Sequence, residues 1–262
     1  TVATGVKLST GLERLHTLTG ADQTATAASV GLEYTRNPLV KGAGRIEWRR
    51  DPASESWLAT AGVARKMSRD WSLLGRNYFQ LTSPKAAPRQ LQNRFWFGTA
   101  FRDTDTNKVN LLSRYEFKFE DAPALIGAGV NRRANVVSTH VDLRPSRRWT
   151  FSGQHAIKWV DESASDPGVA RFRAQLASAR AGYDISDRWD VGVLASVLMD
   201  GNDSRRRALG AELGLRVRDN LWLSAGYNIS GFTDRDLGGS QYTARGFFVR
   251  LRLKVDEEFM GR

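Results

Sequence analysis

The sequence contains no cysteine and only three histidines among its 262 residues. The absence of cysteine excludes disulfides, zinc–thiolate sites and thiol nucleophiles. The chain also lacks a long apolar run. A membrane helix needs about 18 consecutive apolar residues, whereas the longest candidate, Val191 to Met199, is much shorter and contains Ser196. A membrane-spanning strand needs a shorter segment than a helix, about 9–11 residues, and only alternate residues in it must be apolar.

Acidic residues are in the minority. The 39 lysines and arginines outnumber the 28 aspartates and glutamates, which gives a net charge of +11 and a pI of about 10.3. A soluble nucleic-acid binder is the hypothesis that the pI alone favours, but it requires a basic cluster on one surface. Here arginines are spread through nearly every segment in which apolar residues alternate. We therefore expect no nucleic-acid partner, and the charge needs another explanation.

Alternation with a period of two dominates the chain and predicts β-strands. In the run from Phe247 to Val255, every second residue is apolar, and the intervening positions end in three cations. Similar runs predict about fourteen strands in a single domain that covers residues 1–262. The predicted strands lie near 4–17, 24–36, 42–50, 56–67, 71–82, 91–103, 108–119, 133–144, 149–160, 171–185, 189–199, 205–217, 221–232 and 242–255.

Tight polar turns alternate with longer connections along the chain. A tryptophan follows several of the tight turns, at Trp71, Trp149, Trp189 and Trp222. Short periplasmic turns, long extracellular loops and a girdle of interfacial aromatic residues are typical of outer-membrane barrels. We therefore expect these four tryptophans to lie at one membrane interface.

A soluble β-sandwich also shows alternation, but three features favour a membrane barrel. Long cations stand at mid-strand on the polar face, the apolar face includes alanine, glycine and serine, and the strands are long. In lipid an open sheet edge would leave backbone groups without partners, so the sheet must close. The expected fold is an all-β, closed antiparallel transmembrane barrel of about 14 strands. We expect it in the bacterial outer membrane, in contact with lipid and lipopolysaccharide.

The C-terminal run from Gly246 to Leu251 resembles the assembly signal of outer-membrane proteins, although the chain continues beyond it. Three further runs, Gly226 to Leu237, Tyr242 to Gly246 and Val249 to Val255, resemble the C-terminal barrel region of large multidomain outer-membrane proteins of proteobacteria. The resemblance implies a membrane-embedded domain and transfers no functional residue. It also implies further domains of the same polypeptide as partners.

The polar faces carry fourteen cations against eight anions by strand parity. A lysine or arginine at the lipid midplane would cost about 2–4 kcal/mol, so we expect these residues to face the interior. The expected lumen-lining cations are Arg45, Arg49, Arg76, Arg94, Arg102, Arg114, Lys118, Lys158, Arg180, Arg216, Arg250, Arg252 and Lys254, with Lys7 as a further polar-face cation. The anions are Glu13, Glu33, Glu47, Glu116, Asp142, Asp184, Asp190 and Glu212.

Other chemistry is sparse. His140 and Asp142 share a strand face and form a potential acid–base pair, but no serine elbow accompanies them, so hydrogen bonding within the lumen is the simpler interpretation. Two acidic segments, from Asp200 to Asp203 and from Asp234 to Asp236, resemble fragments of calcium loops without the full ligand spacing. We expect no enzymatic activity, no cofactor and no metal site.

Two functions fit this pattern. The first is a passive pore whose basic lumen prefers small anions or acidic saccharides; the structural alternative is that Arg–Glu pairs only brace the wall. The second is a membrane anchor or exit conduit for a larger surface protein, which the resemblance and the absence of a signal peptide at Thr1 favour. The connection from Glu120 to Arg132 is apolar enough to plug a mouth or to meet a partner, although a plain surface loop is the simpler interpretation.

Overall fold

The computed structural model of the protein describes residues 3–16, 24–123, 129–163, 168–201, 204–218, 221–232, 236–237 and 245–253, with the backbone alone at 252–253. Two predicted features lie partly or wholly outside these ranges. They are the cation Lys254 and residues 124–128 of the apolar connection between Glu120 and Arg132. The acidic segments are described only at Asp200, Gly201 and Asp236.

Within these ranges, fourteen antiparallel strands form one sheet in chain order. They are Val6–His16 (β1), Thr24–Asn37 (β2), Val40–Arg50 (β3), Ser54–Lys66 (β4), Trp71–Pro84 (β5), Gln90–Arg102 (β6), Val109–Ala122 (β7), Val130–Leu143 (β8), Trp149–Ser163 (β9), Val169–Asp184 (β10), Trp189–Asp200 (β11), Arg205–Arg218 (β12), Leu221–Ser230 (β13) and Gly246–Leu253 (β14). The strand prediction is confirmed throughout, with ends displaced by a few residues. Among the described residues, β1 pairs with β2 alone and β14 with β13 alone.

The chain divides into two compact units. Unit 1 comprises Thr1–Phe101, Leu112–Val137 and Trp159–Phe172, and unit 2 comprises Arg102–Leu111, Ser138–Lys158 and Arg173–Arg262. None of the described segments forms a helix that is long and apolar enough to cross a membrane.

Register gives each unit a polar face and an apolar face, because directly paired residues on neighbouring strands point to the same side of a sheet. In unit 1, Arg45 is paired with Gly31 and Thr60 on the polar face. One residue further on, Ile46 is paired with Val30 and Ala59 on the apolar face. In unit 2 the same alternation separates Glu212, which is paired with Gly192, from Leu213, which is paired with Val191.

The apolar faces of both units are exposed. In unit 1, Val30, Ile46 and Phe97 are among the large exposed side chains, and in unit 2 Val193 and Leu213 are. The buried apolar side chains of unit 2 lie instead on the polar face, where Leu176 is paired with Leu198. A folded protein rarely exposes extended apolar surface to water. In each unit the apolar face of the sheet is therefore the exposed one, as expected for a surface in contact with lipid.

Three short turns share one local structure. The backbone N–H of Trp71 donates to Ser68 Oγ, that of Trp149 to Ser146 Oγ and that of Trp189 to Ser186 Oγ, each at 3.2 Å. A serine hydroxyl that bonds the backbone in this way stabilises a turn. Each of these tryptophans is the first residue of its strand and lies exposed on the apolar face.

The interface prediction is wrong for Trp222. Strand β13 begins at Leu221, so Trp222 is its second residue. A shift of one residue reverses the face of a strand side chain, and the register pairs Trp222 with Arg216 and Arg252 on the polar face. The remaining turn residues of this hairpin, 219 and 220, lie outside the described ranges.

The connections are more uniform in length than the sequence indicates, because the strands extend into several segments expected to be loops. Strand β7 continues to Ala122, and β8 already begins at Val130.

In two turns, hydrogen bonds to an aspartate lower the pKa of its carboxyl group. Backbone N–H donors of Ala53 and Ser54 lower the pKa of Asp51, and the hydroxyl and N–H of Thr106 lower that of Asp103. A lowered carboxyl pKa stabilises the fold at neutral pH, and this contribution is lost only in acid below the ordinary value of 3.8.

Candidate functional site: the cationic polar faces

In unit 1 the polar face of β3 carries a carboxylate between two guanidinium groups. Arg45 Nη2 lies 2.8 Å from Glu47 Oε2, and Arg49 Nη2 lies 3.4 Å from Glu47 Oε1. The arginine side chains are 59% and 53% exposed, whereas that of Glu47 is 17% exposed. The group therefore presents two solvated cations around one shielded anion and has a net charge of +1.

Strand β7, also in unit 1, repeats this arrangement. Arg114 Nη2 lies 3.6 Å from Glu116 Oε2, and Lys118 Nζ lies 3.7 Å from Glu116 Oε1. The alternation of one strand is sufficient to produce the pattern, because residues two apart share a face. A cation–anion–cation group, hereafter a charge triad, therefore occurs on each of two strands.

Two further predicted cations of unit 1 lie beside aromatic residues of the polar face. Arg76 on β5 is directly paired with Trp96, and Arg94 on β6 is paired with Tyr78. Both arginines are exposed, and Arg102, which belongs to unit 2, is exposed as well.

A third charge triad, in unit 2, joins three strands. Arg180 of β10 donates to Glu212 Oε1 through Nε at 2.8 Å and through Nη2 at 2.5 Å. Arg250 Nη1 of β14 lies 3.4 Å from Glu212 Oε2, and its guanidinium lies 5.7 Å from the centre of the Phe248 ring. The Glu212 side chain is fully buried. This triad therefore braces the wall instead of presenting freely solvated charge.

Glycine makes the close approach in this triad possible. A Cβ atom at Gly192, which lies between Arg180 and Glu212 in the sheet, would stand 3.0 Å from Glu212 Cγ and 3.2 Å from Arg180 Nη2. A side chain at this position would require the pair to shift by a few tenths of an ångström. The sequence pattern assigned the face of Gly192 correctly, but the three-strand contact that depends on it is not visible in the sequence.

Lys158 is predicted to line the lumen, but the structure buries its side chain. Its side chain is only 5% exposed, and its Nζ lies 3.4 Å from Oδ2 of Asp236, which is 1% exposed. Asp236 and the neighbouring Leu237 belong to the connection between β13 and β14, and both are buried. This connection therefore reaches the polar face of β9 and neutralises Lys158 there.

Sequence reasoning missed a buried cation of the polar face. Arg132, in unit 1, is buried, and its Nε lies 3.5 Å from Glu162 Oε2. The predicted β8 begins at residue 133, which assigned Arg132 to a loop, whereas the strand begins at Val130. The even-numbered alternation of β8 continues back to Arg132 and was the available signal.

The His140–Asp142 pair gains a third member in unit 2. His140 Nε2 lies 3.3 Å from Asp142 Oδ1, and Ser152 Oγ donates to the same Oδ1 at 2.6 Å. Nucleophilic catalysis requires the imidazole between the hydroxyl and the carboxylate, whereas here the carboxylate lies between the other two. The arrangement is that of a polar cluster.

His155 is exposed and lies on the opposite face of β9 from Lys158, as the alternation of the strand predicts.

No protein-family model and no curated protein sequence matches the chain. The fourteen-stranded antiparallel sheet of the described residues is similar in fold to outer-membrane β-barrel proteins. The structure is similar to the siderophore receptor PirA from Pseudomonas aeruginosa, with a TM-score of 0.67, 8% identity and coverage of 85% of this chain and 42% of PirA. It is also similar to the alcaligin outer-membrane receptor FauA from Bordetella pertussis, with a TM-score of 0.50, 10% identity and coverage of 85% and 42%. The chain thus spans less than half the length of these receptors.

Proposed function

We propose that this chain forms a closed β-barrel in the bacterial outer membrane and provides a passage whose basic lumen prefers anions. One observation carries the proposal: the apolar faces of both units are exposed, whereas the charge triads lie on the opposite faces. Only lipid solvates such an apolar surface, and only the side away from lipid accommodates these charges at low cost. The fold shared with outer-membrane receptors supports this location.

Closure requires β1 to pair with β14. An even number of strands in up-and-down order makes these two edges antiparallel, so they are able to join without a crossover. An unpaired edge in lipid leaves N–H and C=O groups unsatisfied, each at a cost of several kcal/mol. Leu12 on β1 and Phe247 on β14 are 88% and 87% exposed. Exposed apolar side chains on both edge strands are expected where lipid covers the barrel wall.

Closure predicts efficient disulfide formation between the edges. The chain has no cysteine of its own, so introduced pairs report cleanly. We expect one member of a panel that combines Leu8→Cys or Leu12→Cys with Phe247→Cys, Val249→Cys or Leu251→Cys to oxidise nearly completely in vesicles. Facing residues of antiparallel strands have Cα atoms about 4.5–5.5 Å apart, within the range of a disulfide. Non-reducing electrophoresis measures the product.

Leu223→Cys with Leu251→Cys is the positive control, because Leu223 and Leu251 are directly paired on the apolar face of the sheet. Phe97→Cys with Leu251→Cys, on β6 and β14, is the negative control. If the positive control oxidises and no β1–β14 pair does, the barrel is not closed by these edges.

Anion preference follows from the charge triads of unit 1. Each contains two cations and one anion; Arg45 and Arg49 are more than half exposed and Arg114 is 42% exposed. Fixed cations along a passage with low-dielectric walls concentrate anions and repel cations. The buried triad of unit 2 and the buried Lys158 contribute less to this field, because their charges are paired and shielded.

Conductance in planar bilayers tests the passage. We expect the wild-type protein to form pores whose reversal potential in a salt gradient indicates anion preference. The double variant Arg45→Gln, Arg49→Gln should shift the permeability ratio toward that of an unselective pore. Arg65→Gln is the matched control, because Arg65 is exposed on the apolar face of β4. The absence of conductance, or cation selectivity in the wild type, would contradict the proposal.

The alternative role as an anchor or exit conduit stays a prediction. The full gene decides it: a large region encoded before Thr1 favours the anchor, and its absence would rule the anchor out.

A further inference from the structure

Unit 2 contains a cavity of about 360 Å³ near the start of β9, the β10–β11 turn and the adjoining ends of β12 and β13. Its lining combines four arginines, three aspartates and two tryptophans. The volume falls in the range of about 300–1,000 Å³ that small-molecule sites occupy. None of these residues belongs to the charge triads described above.

Backbone hydrogen bonds fix the walls of this cavity. The N–H of Asp184 donates to the carbonyl of Arg148 at 2.8 Å, and the N–H of Arg216 donates to the carbonyl of Arg188 at 2.8 Å. The turns that carry Arg148 and Arg188 are thus linked through their backbones to the strand ends that carry Asp184 and Arg216, around the same space.

Trp222 supplies the apolar wall. Because β13 begins one residue earlier than the other tryptophan-containing strands, the indole lies on the polar face, directly paired with Arg216. Asp184 and Asp190, also paired with each other on this face, line the same cavity. A flat aromatic surface, guanidinium forks and carboxylate acceptors therefore lie together at one end of the strands.

We infer that this cavity binds an acidic saccharide, an inference that rests on the proposed passage and names its solute class. Guanidinium groups bind carboxylates in a bidentate manner. The aspartates accept hydrogen bonds from sugar hydroxyl groups, and the indole packs against the apolar face of a sugar ring. A compact inorganic anion matches this lining less well, because it offers the aspartates fewer hydroxyl donors than a sugar does and offers the indole no apolar surface.

Isothermal titration calorimetry of the full chain refolded in detergent tests the inference, with trigalacturonate as the probe. We expect measurable binding of trigalacturonate, and binding at least about tenfold weaker for neutral maltotriose and for inorganic phosphate. Arg216→Gln and, separately, Trp222→Leu should each weaken trigalacturonate binding about tenfold. Arg218→Gln is the matched control, because Arg218 is exposed on the same strand end and does not line the cavity.

Two results would overturn the inference: no binding of trigalacturonate by the wild type, or phosphate binding as tight as trigalacturonate binding. Equal loss in Arg218→Gln and Arg216→Gln would also overturn it, since nonspecific charge would then explain the affinity. Calorimetry does not depend on conduction. A conducting protein that fails to bind therefore refutes the site alone, whereas a binding protein that fails to conduct refutes the passage.

Discussion

Replacing Glu212 by alanine is expected to lower the free energy of unfolding by about 3 kcal/mol or more, because removal of one partner from a buried ion pair leaves the other charge uncompensated. Glu212 is fully buried and is the common partner of Arg180 and Arg250, whose side chains are 15% and 28% exposed. Urea titration of the protein folded in lipid vesicles, followed by the fluorescence of its tryptophans, measures this change.

The triad on β3 is the matched control, because it has the same charge pattern without the burial. Glu47→Ala removes the anion between two arginines that are more than half exposed, and exposed pairs contribute about 0.2–1 kcal/mol. A third variant replaces Arg180, Glu212 and Arg250 together by apolar residues of similar size; it should cost less than Glu212→Ala alone. Equal costs for Glu47→Ala and Glu212→Ala would show that burial does not determine the energetics of these triads.

A single arginine on the apolar face is expected to have the second-largest effect. Val30 lies at the middle of β2, is 53% exposed and is paired with Ile46. If this face contacts lipid, Val30→Arg should lower the free energy of unfolding in vesicles by about 2–4 kcal/mol, the cost of a cation near the bilayer midplane. The same urea titration measures it.

Ser29→Arg is the control for this change, because it introduces the same side chain one residue away. Ser29 lies on the polar face and is paired with Glu47, so the new cation stays on the side away from lipid. Its repulsion from Arg45, whose Nη2 lies 3.4 Å from Ser29 Oγ, should cost about 1 kcal/mol in water. A comparable loss in both variants would mean that bulk or strand propensity, and not lipid contact, determines the result. Little loss in Val30→Arg would contradict the assignment of the apolar face to lipid.

Much of the fold could be predicted because it depends on local alternation. A strand's side chains alternate whatever its neighbours are, so the faces of Arg45, Glu47 and Arg49 follow from the sequence of β3 alone. The same reasoning places Phe247 and Val249 on an apolar face without knowledge of β13. The strand ends were less certain, since an extension by a few residues costs little and has no sharp sequence signal.

The candidate site required information that alternation does not contain. Trp222 follows a hairpin turn as Trp71 does, but a difference of one residue in where the strand begins places it on the other face. The partner of Glu212 is set by the packing of three strands across Gly192. The burial of Lys158 depends on a connection distant in sequence, so a residue predicted as a solvated cation is instead half of a buried pair.

That buried pair has a consequence for the order of assembly. Lys158 and Asp236 are separated by 78 residues in the sequence, and four strands, β10 to β13, are placed between them. Contacts between distant residues form late, because the intervening chain must first lose its conformational freedom. We therefore expect the pair to form only after those strands are in place, so that its loss accelerates unfolding and leaves the folding rate nearly unchanged. The Lys158–Asp236 ion pair is thus expected to form in the last step of assembly.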